Sequence, residues 1–247
     1  MNRILLISMI LAAGACSSAT MNKKEKTPEQ KTVISSNING HGPEIIIELT
    51  RGEAFNHPLM AAWLEDDAGN YIQTLFVPHS VASGVFKYGK MENNNWVPAP
   101  KRAPQTLPYW SHKRGIKASD GLYMPEPENP VADAYSGATP VKGFILNARA
   151  DQELPDKYKV LFEINQNWDW NEYWTNNKYP DDDNYKMSCQ PAVVYEVKID
   201  TKNIRESYLM EPVGHSHYSG KTGELFPDLS TITTALQIAD SITVRVK

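Results

Sequence analysis

Tyr158-Lys159-Val160-Leu161-Phe162-Glu163-Ile164-Asn165 is the stretch on which the fold class turns. Tyr158, Val160, Phe162 and Ile164 alternate with Lys159, Leu161, Glu163 and Asn165. Residues two apart share one face of a β-strand, so the pattern predicts a strand with one apolar face. The same period recurs along the chain. Val193, Tyr195, Val197 and Ile199 alternate with Val194, Glu196, Lys198 and Asp200, and Ile242, Val244 and Val246 with Ser241, Thr243 and Arg245. Ile45, Ile47 and Leu49 face away from Glu44 and Glu48. One dry face and one wet face is the mark of antiparallel sheet. Between these runs, apolar Leu59 to Leu64, the turn-forming Glu65-Asp66-Asp67-Ala68-Gly69-Asn70 and apolar Tyr71 to Val77 predict a hairpin over 58–77. The expected fold is all-β: an immunoglobulin-like antiparallel β-sandwich with at most one or two short helices, one of them near 230–239.

Composition narrows the function classes. The 247 residues carry 25 Lys+Arg and 29 Asp+Glu, a formal charge of -4, with 41% hydrophobic residues. That is an ordinary globular balance. Nucleic acid is an unexpected partner, because its recognition needs a concentrated basic face. Two Cys exclude a disulfide framework and a four-thiolate zinc site. Prolines and aromatics cluster: Pro98, Pro100, Pro104, Pro108, Pro125, Pro127, Pro130 and Pro140 fall in one long irregular segment, and Trp168, Trp170 and Trp174 in one short one. Irregular segments of that length are usually functional or packed as elaborate surface.

The N-terminus is an address. Arg3 precedes apolar Ile4 to Ala13, too short to span a bilayer, and Ala13-Gly14-Ala15 leads into Cys16. This resembles a bacterial lipoprotein signal, cut before a Cys whose thiol carries the lipid. The expected organisation is a signal peptide over 1–15, a lipidated tether over 16–42 with Cys16 as the attachment site, and one sandwich domain over 43–247. Removing residues 1–15, which contain Arg3 and no acid, leaves 24 basic and 29 acidic groups and a charge of -5. The protein is expected in the cell envelope, membrane-anchored and facing the periplasm. Cys189 would then be the one free thiol, read as a small core residue.

Ala61-Ala62-Trp63-Leu64-Glu65-Asp66, Gly69, Thr74-Leu75, Tyr109-Trp110 and Asp133-Ala134-Tyr135-Ser136-Gly137-Ala138-Thr139-Pro140 together resemble the periplasmic family called domain of unknown function 2271. The resemblance runs over most of the chain from about Glu44 and is most specific at 133–140. The segments Asn165 to Trp174 and Gly214 to Gly220 set the chain apart as similar to a Bacteroides-type lipoprotein subgroup. The resemblance implies a β-rich periplasmic domain and an association with flavin-transfer and membrane electron-transfer proteins.

Asp133-x-x-Ser136-Gly137-Ala138-Thr139 also resembles the acceptor sequence of bacterial flavin transferases, which move FMN from FAD onto a hydroxyl. The resemblance implies Thr139 as the acceptor of covalent FMN, Asp133 as the upstream acid, and Ser136, Gly137 and Ala138 as small neighbours that admit a transferase. Trp110 or Tyr135 is expected to stack on the flavin and tune it. The chain departs from the familiar carriers at Val141, where they place a second hydroxyl residue. The competing reading is a tight turn, with Gly137 at positive φ and Thr139-Pro140 opening a strand.

Two other constellations carry chemistry. Trp168, Trp170 and Trp174, with Tyr173, Tyr179 and nearby acids, form a candidate glycan-binding platform, or else rings that staple a loop over the core. Asp169 and Glu172 are a carboxylate pair of the kind glycosidases use. His215-x-His217 can share a metal with Asp181 or Asp183, or simply hydrogen-bond in a loop; no metal site is expected. No P-loop, nucleophile elbow or His-Glu-x-x-His motif is present, so the reading is a carrier or binding protein rather than a conventional enzyme.

Overall fold

The computed structural model describes residues 30–247. The signal and Cys16 lie outside the described residues. The described residues form thirteen strands in sandwich-like sheets, so the expected all-β fold holds. The first sheet has the order β1-β8-β2-β13-β11, built from β1 (Thr32–Ser36), β8 (Phe144–Arg149), β2 (Glu44–Arg51), β13 (Ala239–Val246) and β11 (Tyr208–Leu209). The second has the order β12-β10-β9-β3-β4-β7, built from β12 (Glu211–His215), β10 (Val193–Asp200), β9 (Lys157–Asn165), β3 (Leu59–Asp66), β4 (Tyr71–Pro78) and β7 (Ser136–Gly137). A separate hairpin pairs β5 (Val85–Glu92) with β6 (Asn95–Pro100).

The main core lies between the sheets. Ile45, Ile47 and Leu49 of β2, Leu146 of β8 and Val244 of β13 pack against Met60 and Leu64 of β3 and Val160, Phe162 and Ile164 of β9. These are the apolar faces that the period-two pattern marks. The expected hairpin is β3–β4. Its turn is closed by Asn70, whose backbone N–H donates to Asp66 Oδ1 at 2.8 Å, with Gly69 at φ +87°. Pairing is antiparallel except at two edges, where β1 joins β8 and β7 joins β4 in parallel.

Three expectations change. The tether expected through Gly42 stops earlier, because Thr32–Ser36 is a strand. It is mostly exposed, and is held by its ladder to β8, by Ile34 against the core and by Ser36 Oγ donating to the Leu75 carbonyl at 2.6 Å. Helical structure near 230–239 is a single 3₁₀ turn, Thr234–Gln237. Among the described residues three short helices form elsewhere, one more than expected: α1 (His79–Ser83), α2 (Pro108–Arg114) and α3 (Asp183–Ser188).

The largest difference concerns the outer face of the second sheet, which the alternation marks as wet. Leu161 and Glu163 of β9, Ala61 and Trp63 of β3 and Val194 of β10 are all buried there. The proline- and aromatic-rich irregular segment is the reason. It lays α2, Leu107 and Val131 over that face as a third layer, to which α1, directly after β4, adds Val81 and Ala82. Polar clamps fix it. Glu163 accepts from the backbone N–H of Tyr109 (3.2 Å) and Trp110 (2.8 Å), two of the first-turn donors that a helix leaves unsatisfied. Trp110 Nε1 donates to Thr74 Oγ1 at 3.0 Å, and Lys113 Nζ reaches Glu65 Oε2 at 3.2 Å.

Candidate functional site

The segment Asp133 to Thr139 begins where the edges of the two sheets meet. Asp133–Tyr135 is one 3₁₀ turn, and Ser136-Gly137 forms β7, the outermost strand of the second sheet, paired with Val77 and Pro78 alone. The edge strand of the first sheet, β1, runs beside it: Asn37 N–H donates to the Ala134 carbonyl at 2.7 Å. The turn is braced from below. Tyr135 OH donates to the Asp151 carboxylate (2.8 and 2.9 Å), which also accepts from Asn37 Nδ2 at 2.7 Å. Burial, then the Asp151 hydrogen bond and charge, push the Tyr135 hydroxyl up to about 12.

Within that frame the side chains separate by role. Asp133 and Ala138 are exposed, Ser136 and Thr139 half-buried. Among the described residues the Thr139 hydroxyl makes no hydrogen bond, while Ser136 Oγ donates weakly to the Asp133 carbonyl at 3.5 Å. Gly137 is not in the positive-φ region, so the turn reading of that glycine fails. Its reason is packing: a Cβ there would sit 3.1 Å from Phe76 Cε2. Trp110, on α2, is fully buried between the third layer and the sheet and is not available to stack on anything carried by Thr139.

The three loop tryptophans do not form one platform. Trp170 is 55% exposed, and Trp168, 58% exposed at φ +65°, lines a small amide-rich hollow with Asn56, His57 and Gln166. Trp174, only 6% exposed, lies elsewhere, in the wall of an aromatic hollow of about 400 Å³. Asn171 sets its position. Its Oδ1 accepts from Tyr173 N–H (2.9 Å) and Trp174 N–H (2.7 Å), and its Nδ2 donates to the Thr231 carbonyl at 2.9 Å. Trp174 Nε1 donates to Thr231 Oγ1 at 3.1 Å. The other walls are Tyr179 and Tyr218, stacked at 4.3 Å, and Phe226, on which His215 stacks at 5.3 Å. Lys178 Nζ caps one side, 3.1 Å from the Tyr173 ring centroid and 4.5 Å from that of Trp174.

Asp169 and Glu172 are not a catalytic pair. Asp169 is buried in a network, accepting from Gln190 Nε2 at 2.9 Å and from the Thr234 hydroxyl, whereas Glu172 is exposed. Burial raises the Asp169 carboxyl, against the pull of its Thr234 and Gln190 bonds. His215 and His217 serve as aromatic walls, and Asp181 and Asp183 point to solvent. Among the described residues no three His, Cys, Asp or Glu side chains gather as a metal site. Cys189 is buried, with its thiol pushed up by burial.

Sequence reasoning missed Glu163, taken for a solvent-facing carboxylate, and Phe226, which no local pattern ties to Trp174. The chain matches no family model, no curated protein and no solved structure.

Proposed function

We propose that this protein is an exported, lipid-anchored carrier of covalent FMN, serving flavin-based electron transfer at the cell envelope. The observation that carries the reading is the Thr139 hydroxyl: half-buried, without a hydrogen-bond partner among the described residues, and close in sequence to exposed Asp133 on an edge segment. A transferase needs such a hydroxyl presented on chain that can move towards it. β7 contributes two residues to the ladder, so displacing it costs little of the sandwich. The sheets and the Asp151 brace stay behind as a rigid base.

The transfer exchanges a phosphoanhydride for a phosphoester. Thr139 Oγ attacks the FMN phosphorus of FAD, the pyrophosphate bond breaks, AMP leaves, and the hydroxyl proton passes to a base of the transferase. FMN so attached supplies one- and two-electron redox chemistry. The chain's own contribution is to hold Thr139 on a braced edge, with exposed Asp133 nearby for the transferase to recognise. With Trp110 buried, Tyr135 is the ring left near the attachment point, and its hydroxyl is tied to Asp151.

Intact mass of the chain co-expressed with a flavin transferase tests the reading. The expected result is a gain of one FMN less one water, kept in Thr139→Ser, lost in Thr139→Ala and reduced in Asp133→Asn. No mass gain, or an unchanged gain in Thr139→Ala, overturns it.

A further inference from the structure

The aromatic hollow beside Trp174 holds two imidazoles whose free nitrogens differ in kind. His215 is 9% exposed, and its Nδ1 lies 2.8 Å from the Ser216 carbonyl. A carbonyl can only accept, so Nδ1 carries the hydrogen and Nε2 presents a bare lone pair. His217 is the reverse. Its Nδ1 accepts the Ser219 backbone N–H at 3.2 Å, so in the neutral ring Nε2 carries the hydrogen. Burial holds both rings below the usual histidine range, which keeps them neutral near pH 7. Neither Nε2 has a hydrogen-bond partner among the described residues, and both residues line the hollow.

The lining therefore offers one acceptor, one donor, the Asp228 carboxylate and the Thr231 hydroxyl, set among the rings of Trp174, Tyr179, Tyr218 and Phe226. A purely apolar ligand would strip water from His215 Nε2 without replacing its hydrogen bond, at a cost. An anion would meet Asp228 and two neutral rings, while the neighbouring cations are engaged: Lys178 lies against Tyr173 and Trp174, and Lys221 is paired with Asp182 at 3.0 Å. A neutral sugar fits both halves of the lining. Its axial C–H surfaces pack on ring faces, and its hydroxyls both donate and accept.

We propose that this hollow is a binding site for a neutral pyranoside, gripped between aromatic walls and hydrogen-bonded by His215 Nε2 as acceptor and His217 Nε2–H as donor. The site uses Trp174 and does not use Trp168 or Trp170. It stands independently of Thr139, which follows the edge strand β7 and is absent from the hollow's lining.

Titration calorimetry with maltotetraose, cellotetraose, xylotetraose, mannotetraose and chitotetraose, and with tetragalacturonate as the anionic probe, tests this. At least one neutral oligosaccharide is expected to bind and tetragalacturonate is not. His215→Phe keeps a ring against Phe226 and removes the acceptor, so binding should weaken about tenfold, the equivalent of one hydrogen bond. His217→Phe should weaken it similarly, and Trp168→Ala should leave it unchanged. Near-ultraviolet circular dichroism checks that each variant is folded, and His217→Phe carries the test if His215→Phe is not. Binding of the anion alone, binding of no neutral probe, or affinity indifferent to both histidine variants overturns the proposal.

Discussion

Replacing Glu163 by Gln should make the protein less stable in mild acid and more stable in mild base. Glu163 is 0% exposed and accepts from two N–H groups at the start of α2. Burial pushes its carboxyl from 4.5 up to about 8, against the pull of the Trp110 and Tyr109 N–H groups and the Ser216 hydroxyl. With a folded-state pKa above the unfolded one, the folded chain binds the extra proton between pH 4.5 and 8. Its stabilisation is complete below pH 4.5, falls by ~1.4 kcal/mol for each pH unit above that, and is gone once pH passes 8. The whole contribution is of the order of 5 kcal/mol. Gln has the shape of the protonated acid but does not titrate. Its oxygen can accept from Trp110 N–H, while its amide nitrogen leaves the Tyr109 N–H unsatisfied, a fixed cost of about 1–3 kcal/mol. Urea unfolding of both proteins at pH 5, 6, 7 and 8, followed by tryptophan fluorescence, should therefore give lines that cross. Parallel lines would refute the reasoning. So would a wild type that gains on the variant as pH rises, which would make the clamp a charged one.

Two further outcomes follow from packing. Gly137→Ala places a methyl 3.1 Å from the Phe76 ring, which is fully buried and has little room to yield. The expected loss is about 1–2 kcal/mol in urea unfolding, with flavinylation of Thr139 retained; full stability with lost flavinylation would instead make Gly137 a residue read by the transferase. Cys189 is buried with its thiol raised above the usual range, so a thiol reagent at pH 8 should leave it unlabelled in the native protein and modify it only in urea. Stoichiometric labelling without denaturant would contradict that placement.

The residues that declare the fold are those whose neighbours along the chain repeat their environment. Ile45, Ile47 and Leu49, or Val160, Phe162 and Ile164, announce a face because each strand is its own ruler. The third layer has no such ruler. Leu161 and Glu163 look half-wet because what covers them, α2 and the irregular chain around it, carries no period and arrives from fifty residues away. β1 is illegible for the opposite reason: a short, mostly exposed strand is ordered by a ladder to β8, a partner more than a hundred residues distant. At the candidate sites, the motif at Asp133 to Thr139 is local and readable. Trp174 is visible as a ring, but its role waits on Tyr218, Phe226 and the two histidine tautomers, which only the folded backbone brings to it.

The placement of β13 has a consequence for the order of assembly. It lies between β2 and β11, with Val246 opposite Ile45, partners about 200 residues apart in sequence. Until residues 239–246 arrive, β2 keeps one edge unpaired and the apolar faces of Ile45 and Ile47 lack the Val244 side of their layer. Closing so long a loop is entropically slow, so the first sheet should be completed late, after the local hairpin of β3 and β4 has formed. The edge of β2 thus stays open until residues 239–246 are made, a delay that would suit the export proposed above.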